Sequence, residues 1–212
     1  MGASYPPRPV GVLLAGGLSR RMGGGDKGLK VLGGRPVLDH VVARARPQVD
    51  RLILNAAGDP ARFAAYGLPV VPDVVEGFAG PLAGVLTGLE WAAANVPGAR
   101  HVVTFACDAP FLPTDLVDRL LAGARAAGAP LACARSLGRT HPVFGLWSLD
   151  LAADLRHALV DEDLRKIDRW TARHGIVHVD FDDLDQATGR DPFFNINRPE
   201  DLAEAEALAT GG

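Results

Sequence analysis

The chain has 212 residues, 48% of them hydrophobic, which is enough apolar material for one packed domain. Its formal net charge of −3 argues against a nucleic-acid-binding surface, because binding to a phosphate backbone draws on an excess of lysine and arginine. No apolar run reaches the roughly 20 residues that a membrane-spanning helix needs. Cys107 and Cys133 lie in apolar runs without metal-ligand spacing, which indicates buried, reduced thiols. We therefore expect a cytoplasmic monomer with one domain over residues 1–212.

Short apolar runs alternate with helical patterns along the chain. In chain order, the patterns predict a strand at Val10–Ala15, a hairpin at Leu29–Arg35, a helix at Pro36–Arg46, a strand at Leu52–Leu54, a helix at Leu82–Ala94, a strand at His101–Cys107, a helix at Asp115–Ala127, strands at Pro130–Ala134 and His141–Trp147, two helices within Asp150–His174, a strand at Ile176–Val179 and a helix at Pro199–Ala209.

This alternation predicts an α/β fold with a mainly parallel sheet and helices on both faces. We expect the strand at His141–Trp147 to run antiparallel. Ligands of such sheets bind at the carboxyl ends of the strands. Functional residues should therefore follow strands. Pro36 and Pro199 suit the first turn of the helices that they begin.

The first predicted strand leads into a glycine-rich stretch that ends at Lys27. Five glycines lie between residues 16 and 25, and glycine lets backbone N–H groups surround phosphate oxygens. Arg21 and Lys27 could offset the charge that develops on a leaving pyrophosphate. Lysine is scarce in this chain, with three residues against 19 arginines. The stretch therefore indicates a phosphate-binding loop, although a solvated surface loop is the alternative.

Two common phosphate-binding motifs do not explain this loop. A P-loop requires Gly-Lys-Ser or Gly-Lys-Thr, which the chain lacks. The spacing of Gly23, Gly25 and Gly28, with Asp50 further on, matches the dinucleotide-binding pattern. In that pattern the glycines directly follow a strand and open a helix, whereas here seven residues separate Gly23 from the end of the predicted strand at Ala15, and a hairpin follows.

Several short motifs occur in the order found in one enzyme family. They are Leu-Ala-Gly-Gly at 14–17, Arg-Met-Gly at 21–23, Asp-Lys at 26–27, Gly-Pro-Leu-Ala-Gly at 80–84, Cys-Asp-Ala-Pro-Phe at 107–111, His-Pro-Val at 141–143 and Asn-Ile-Asn-Arg-Pro at 195–199. Together they resemble the nucleotidyltransferases of the molybdenum cofactor guanylyltransferase family, over nearly the whole chain. The length of the Gly23–Gly25 run departs from the family pattern but leaves the register of Lys27 intact.

The resemblance implies a Rossmann-like, three-layer nucleotidyltransferase fold and transfer of GMP from GTP to molybdopterin, with Mg²⁺ as cofactor and release of pyrophosphate. It also implies molybdenum-insertion proteins and recipient molybdoenzymes as partners. The implied nucleotide-binding residues are Leu14, Ala15, Gly16, Gly17, Lys27, Asn55, Asp73 and Asp108, and the implied catalytic residues are Arg21, Lys27 and Asp108, with Asp108 as the magnesium ligand. The implied pterin-binding residues are Arg21, Gly24, Gly80, His141, Asn195 and Asn197.

Each of the main candidates also has a purely structural interpretation. Asp108 could be the N-cap of the helix that follows it, because aspartate satisfies free N–H groups there. Asn55 and Asp73 could be turn residues, which favour asparagine and aspartate. His141 could be a hydrogen-bonded core histidine.

Three other functions remain open on the sequence. They are a cytidylyltransferase acting on the same pterin, a sugar-phosphate nucleotidyltransferase, and a non-catalytic nucleotide-binding or cofactor-carrier protein. The segments Leu14–Gly17 and Gly80–Gly84 look more like the guanylyl branch of the family, which favours GTP over CTP. Retention of Lys27 and Asp108 argues against a non-catalytic protein.

Overall fold

A computed structural model describes residues 8–15, 27–77, 80–182 and 191–209. Four of the predicted site residues, Gly16, Gly17, Arg21 and Gly24, lie outside these ranges. Of the glycine-rich stretch from Leu14 to Lys27, the structure therefore describes Leu14, Ala15 and Lys27.

The strands of the described residues are β1 (Val10–Leu14), β2 (Val31–Leu32), β3 (Arg35–Pro36), β4 (Arg51–Asn55), β5 (Val70–Val71), β6 (His101–Ala106), β7 (Leu131–Ser136), β8 (Arg139–Ser148) and β9 (Ile176–Asp180). The α-helices are α1 (Val37–Ala45), α2 (Pro81–Asn95), α3 (Leu116–Ala127), α4 (Ala152–Val160), α5 (Ile167–Thr171) and α6 (Pro199–Ala209). Short 3-10 helices occur at Lys27–Leu29, Arg46–Gln48, Pro60–Tyr66 and Leu149–Leu151.

The predicted strands and helices are confirmed, with boundaries that agree within two residues except at the end of the stretch 150–174, whose second helix ends at Thr171. The sequence patterns missed β5 and the 3-10 helices, which are too short to show a hydrophobic period. Pro199 begins α6 as expected. Pro36 does not lie in the first turn of α1, because it pairs with Val31 as part of the β2–β3 hairpin and the helix begins at Val37.

Seven strands of the described part of the chain form one sheet in the order β5-β4-β1-β6-β8-β7-β9. Strand β1 runs parallel to β4 and β6, and β7 runs parallel to β9. Strand β8 runs antiparallel to both β6 and β7, which confirms the expected antiparallel strand. The carboxyl ends of β1, β4, β6 and β7 therefore lie at one edge of the sheet, together with the beginning of β8.

The antiparallel pair of β6 and β8 is in register only over the first half of β6, His101–Val103. Beyond that point the hydroxyl of Thr104 lies 2.6 Å from the carbonyl oxygen of Val143 and bridges the two strands. Ala106 of β6 and Val143 of β8 both line a cavity. Regular pairing of the two strands thus ends before the carboxyl edge of the sheet.

Helices cover both faces of the sheet and give two hydrophobic cores. Buried residues of α1, α3 and α6 belong to the first core, and buried residues of α2, α4 and α5 belong to the second. This arrangement confirms the three-layer α/β fold. Among the described residues, no helix is long and apolar enough to cross a membrane.

Two glycines of α2 let this helix approach the sheet closely. A Cβ atom at Gly84 would lie 2.4 Å from Oδ1 of Asn55 and 2.5 Å from Cδ2 of Leu14. One helical turn later, a Cβ atom at Gly88 would lie 2.5 Å from Cγ2 of Val12. Real Cβ atoms do not approach so closely, so a larger residue at either position would displace its neighbours. At Gly84 those neighbours lie at the end of the strands, where ligands bind in this kind of sheet.

Candidate active site

A cavity of about 860 Å³ opens at the carboxyl edge of the sheet. Its walls come from the ends of β1, β4 and β6, from the loop after β5 and from the beginning of α2. Six predicted site residues line it, namely Leu14, Lys27, Asn55, Asp73, Gly80 and Asp108. Residues that are distant in sequence therefore meet at the place where the topology predicts a ligand site.

On one side of the cavity, Asn55 holds the loop after β5 by its side-chain amide. Its Nδ2 atom donates hydrogen bonds to Oδ1 of Asp73 at 2.9 Å and to the carbonyl oxygen of Val71 at 3.2 Å. Asn55 is the last residue of β4 and is buried, so the alternative that it is a turn residue is wrong. Asp73 lies in an exposed loop and faces the cavity. The pair offers amide and carboxylate groups suited to hydrogen bonds with a nucleoside.

On the other side, Lys27 contacts two distant residues. Its Nζ atom lies 3.2 Å from Oδ2 of Asp108 and 2.5 Å from Oδ1 of Asn197. Burial raises the pKa of Asp108 above its ordinary value, and the nearby Lys27 ammonium opposes that rise. Helix α3 begins at Leu116, eight residues after Asp108, so the N-cap alternative for Asp108 is wrong.

Close backbone packing sets the position of Lys27. The 3-10 turn at Lys27–Leu29 includes the buried Gly28, and a Cβ atom there would lie 3.3 Å from the carbonyl oxygen of Cys107. The turn therefore rests directly on the segment after β6 and places Lys27 beside Asp108. From the opposite side, the backbone N–H of Ile196 donates to the carbonyl oxygen of Asp108 at 2.8 Å.

The cavity wall formed by described residues is acidic. It has three carboxylates, Asp73, Glu76 and Asp108, against the single ammonium of Lys27. No group of three or more His, Cys, Asp or Glu side chains in the described ranges is arranged to enclose a metal ion. A divalent cation bound here would therefore draw only part of its coordination from those carboxylates. Magnesium commonly binds in this way, with water and substrate phosphates as its other ligands.

The other described candidates do not line the cavity. Ala15 is buried, and its N–H donates to the carbonyl oxygen of Asn55 at 2.9 Å. Asn195 accepts a long hydrogen bond of 3.5 Å from the side-chain amide of Asn197, which itself reaches Lys27. His141 lies near the beginning of β8, where its Nε2 atom is 2.7 Å from the hydroxyl of Ser136 and its ring centroid is 4.6 Å from that of Phe193.

Sequence reasoning missed several residues around this site. Val75, Glu76 and Val143 line the cavity, and Ser136 and Asp191 bind each other beside His141. Val143 belongs to the His-Pro-Val motif, which could have indicated it. Nothing near Ser136 distinguishes it from an ordinary strand residue, because its partner lies 55 residues away.

The family model of the MobA-like NTP transferase domain matches residues 11–177 of the chain. The molybdenum cofactor guanylyltransferase of Bradyrhizobium sp. (strain ORS 278) is 59% identical to it over 199 residues. That alignment covers 94% of this chain and 92% of the relative. The family model therefore spans the chain from β1 into β9, and the relative aligns with nearly the whole chain.

Solved structures share the fold at lower identity. A molybdopterin-guanine dinucleotide biosynthesis protein A from Archaeoglobus fulgidus superposes with a TM-score of 0.76 at 22% identity, over 95% of this chain and 98% of the other. A Mycobacterium tuberculosis protein solved in complex with manganese gives a TM-score of 0.65 at 20% identity, over 94% and 98%. The family model and the near-full-length relative together show that this chain belongs to the molybdenum cofactor guanylyltransferases of the MobA-like NTP transferase family.

Proposed function

We propose that this protein transfers GMP from GTP to molybdopterin and releases pyrophosphate. The terminal phosphate oxygen of molybdopterin attacks the α-phosphorus of GTP, and the bond from that phosphorus to the bridging oxygen of the β-phosphate breaks. The product is a molybdopterin guanine dinucleotide. The observation that carries the proposal is the cavity in which Leu14, Asn55 and Asp73 face Lys27 and Asp108.

The two sides of the cavity suit the two parts of the nucleotide. Leu14 offers an apolar contact and Asn55 and Asp73 offer hydrogen bonds to base and ribose. Lys27 lies across the cavity, where its ammonium can bind the phosphates, and Arg21 of the glycine-rich loop adds a second cation in this proposal. Such transfers depend mainly on positioning and charge stabilisation, so no protein nucleophile is required.

The cofactor of the proposal is Mg²⁺, held by Asp108. The residues fit this ion, because Asp108 is a nearly buried carboxylate and the acidic cavity wall favours a divalent cation. When bound, the ion would neutralise charge on the phosphates. Lys27 binds the phosphates and Asn197 orients the Lys27 ammonium through its amide oxygen.

The pterin end of the site, in this proposal, lies beyond Lys27 towards Gly24, Gly80, His141, Asn195 and Asn197. The protein acts as a single-domain monomer in the cytoplasm, where its buried cysteines stay reduced. Molybdenum-insertion proteins would act either before this protein, by supplying its substrate, or after it. Recipient molybdoenzymes would bind its product.

Pyrophosphate release on mixing the protein with Mg²⁺, molybdopterin and one nucleoside triphosphate tests the proposal. We expect release with GTP and much less with CTP or ATP. Omission of molybdopterin is the control for simple hydrolysis. Equal or faster release with CTP would make the protein a cytidylyltransferase, and nucleotide binding without release under any condition would make it a non-catalytic binder.

A further inference from the structure

A buried serine at the carboxyl end of β7 joins two parts of the chain that are distant in sequence. The hydroxyl of Ser136, which is 0% exposed, donates to Oδ1 of Asp191 at 2.6 Å and lies 2.7 Å from Nε2 of His141. The serine hydroxyl has one proton, which it donates in the hydrogen bond to Asp191. Its oxygen therefore accepts a hydrogen bond from the Nε2–H of His141. The same Oδ1 atom of Asp191 accepts the backbone N–H of Phe193 at 3.0 Å. We call Ser136, His141 and Asp191 the polar clamp.

The polar clamp is not a hydrolytic triad. In such a triad the serine hydroxyl gives its proton to histidine and faces the substrate. Here the hydroxyl is fully buried and donates its hydrogen bond to Asp191, not to histidine. Burial lowers the pKa of His141, and the charge of Arg139 lowers it further, whereas the Asp191 carboxylate opposes this shift. The lowered pKa favours the neutral imidazole ring, which the hydrogen bonds of the clamp require.

What the polar clamp holds is the segment from Asp191 to Asn197. Within it, Phe193 is 1% exposed and packs on the ring of Phe144 with centroids 4.7 Å apart. Ile196 is fully buried and donates its N–H to the carbonyl oxygen of Asp108. Asn197 then reaches Lys27. The segment therefore links the polar clamp directly to the Lys27–Asp108 pair.

The two ends of this segment are fixed in different ways. At its far end, Oδ2 of Asp201 accepts the N–H groups of Asn197 and Arg198 at 2.8 and 2.9 Å, in the first turn of α6. At its near end, the polar clamp attaches it to the hairpin of β7 and β8. Loss of the clamp would therefore remove the polar attachment to the hairpin and leave the segment held to the sheet by the packing of Phe193 and the hydrogen bond of Ile196, so that it could shift more readily.

We infer that Ser136, His141 and Asp191 are positioning residues, which hold the segment 191–197 so that Asn197 and the backbone of Ile196 keep Lys27 and Asp108 in place. The kinetic part of this inference rests on the proposed function. The structural part does not, since it concerns contacts within the chain.

Ser136→Ala tests the inference, with Ser148→Ala as its matched control. Ser148 is also a buried serine whose hydroxyl accepts one hydrogen bond, from the N–H of Asp150, but it lies at the opposite edge of the sheet beside His101. We expect Ser136→Ala to lower kcat by about tenfold, because small displacements of catalytic groups are costly. We expect Ser148→Ala to keep the parental kcat.

Two further measurements separate positioning from general damage. Amide hydrogen exchange of the peptide over 191–197 should quicken by about tenfold in Ser136→Ala and stay parental in Ser148→Ala, because local opening depends on local contacts. The dissociation constant of GTP should stay within about twofold of the parent, since its proposed base-binding residues lie on the other side of the cavity. Parental exchange in Ser136→Ala, or equal quickening in both variants, would overturn the inference.

Asp191 offers a conservative rescue. Asp191→Asn keeps an oxygen that can accept from Ser136 and Phe193, so exchange and kcat should stay close to the parent. Asp191→Ala removes that oxygen and should behave like Ser136→Ala. Equal losses in both Asp191 variants would contradict a hydrogen-bonding role. If the parent shows no turnover with GTP and molybdopterin, the proposed function fails, whereas the exchange data still decide whether the clamp holds the segment.

Discussion

The two sides of the cavity are built in different ways. The side with Leu14 and Asn55 comes from neighbouring parallel strands, against which α2 packs so closely that Gly84 leaves no room for a Cβ atom. The side with Lys27 and Asp108 combines close backbone packing at Gly28 with polar contacts of Lys27 that span 81 and 170 positions of the sequence. Shape thus fixes the first side, and shape together with charge and hydrogen bonds fixes the second. Substitutions on the first side should mainly change affinity, and those on the second side should mainly change rate.

The largest effect should come from Asp108→Asn, which replaces a carboxylate by an amide of nearly the same size. We expect kcat to fall by a factor on the order of a hundred or more, as when an electrostatic contributor to a transition state is removed. The affinity for GTP should change little. Steady-state assays across a magnesium titration measure both quantities, and parental rates at every magnesium concentration would show that Asp108 holds no metal.

Lys27→Met keeps the apolar stem of the side chain and removes the ammonium. We expect kcat to fall at least about tenfold, because the charge that binds phosphates is lost. The variant also leaves the nearly buried Asp108 without its counter-ion, so the thermal midpoint should fall by about 3 °C. The double variant with Asp108→Asn should recover that midpoint. A double variant that melts below both single variants would contradict the pairing seen between the two residues.

Gly84→Ala tests the first side of the cavity. The added methyl group would push on Leu14 and Asn55, and we expect the dissociation constant of GTP to rise by about tenfold while kcat at saturation changes much less. Gly88→Ala is the matched control, because its methyl group would push on Val12, which is core and not cavity wall. Both variants should lose stability, and calorimetric titration with GTP distinguishes them. Equal affinities for GTP in the two variants would show that Gly84 does not shape the nucleotide site.

The smallest effect should be a pH dependence of stability. Burial lowers the pKa of His141 below its ordinary value of 6.5, so below that pH the unfolded chain takes up a proton more readily than the folded protein. Stability from this residue is therefore present above 6.5 and lost as the pH falls. His101, at the opposite edge, has a pKa lowered by burial in the same direction, despite the opposing effect of Asp150.

Urea unfolding at about pH 7.5 and about pH 5.5 measures this dependence. His141→Gln, whose amide can still donate to Ser136, should lose less stability on acidification than the parent. His101→Gln should do the same, because burial lowers the pKa of His101 as well. An unchanged dependence in both variants would show that neither histidine carries it.

Sequence patterns predicted most of the sheet and the strand ends at Leu14 and Asn55 for a simple reason, whereas the nucleotide role of these residues came from the family resemblance. Leu14 and Asn55 stand at the ends of apolar runs, and parallel topology brings such ends together. The hairpin between β7 and β8 was harder, because its turn uses Leu137 and Gly138 at φ values of 49° and 71°. A hairpin turn with two positive φ values is usually indicated by the sequence Asn-Gly, whereas Leu-Gly does not indicate such a turn.

Long-range polar contacts explain the rest of what the sequence could not predict. The start of α3 was predicted within one residue, at Asp115 instead of Leu116, but the contact of Asp108 with Lys27 spans 81 positions and has no local sequence signal. The partnership of Ser136 with Asp191 spans 55 residues, and neither neighbourhood has a motif that requires the other. Such contacts depend on how distant parts of the chain pack together, which no local sequence pattern specifies.

The end of the regular pairing between β6 and β8 beyond Val103 has a consequence for ligand recognition. The part of the cavity wall between Ala106 and Val143 lies where this pairing ends, and the hydrogen bond of Thr104 to Val143 holds the two strands together there within the folded protein itself. The entropy of forming the site is then lost once, during folding, and not again at each binding event. If no part of such a site folds on binding, desolvation of the buried surface should account for the whole heat-capacity change of nucleotide binding. The binding enthalpy, corrected for that change, should then be nearly the same at all temperatures.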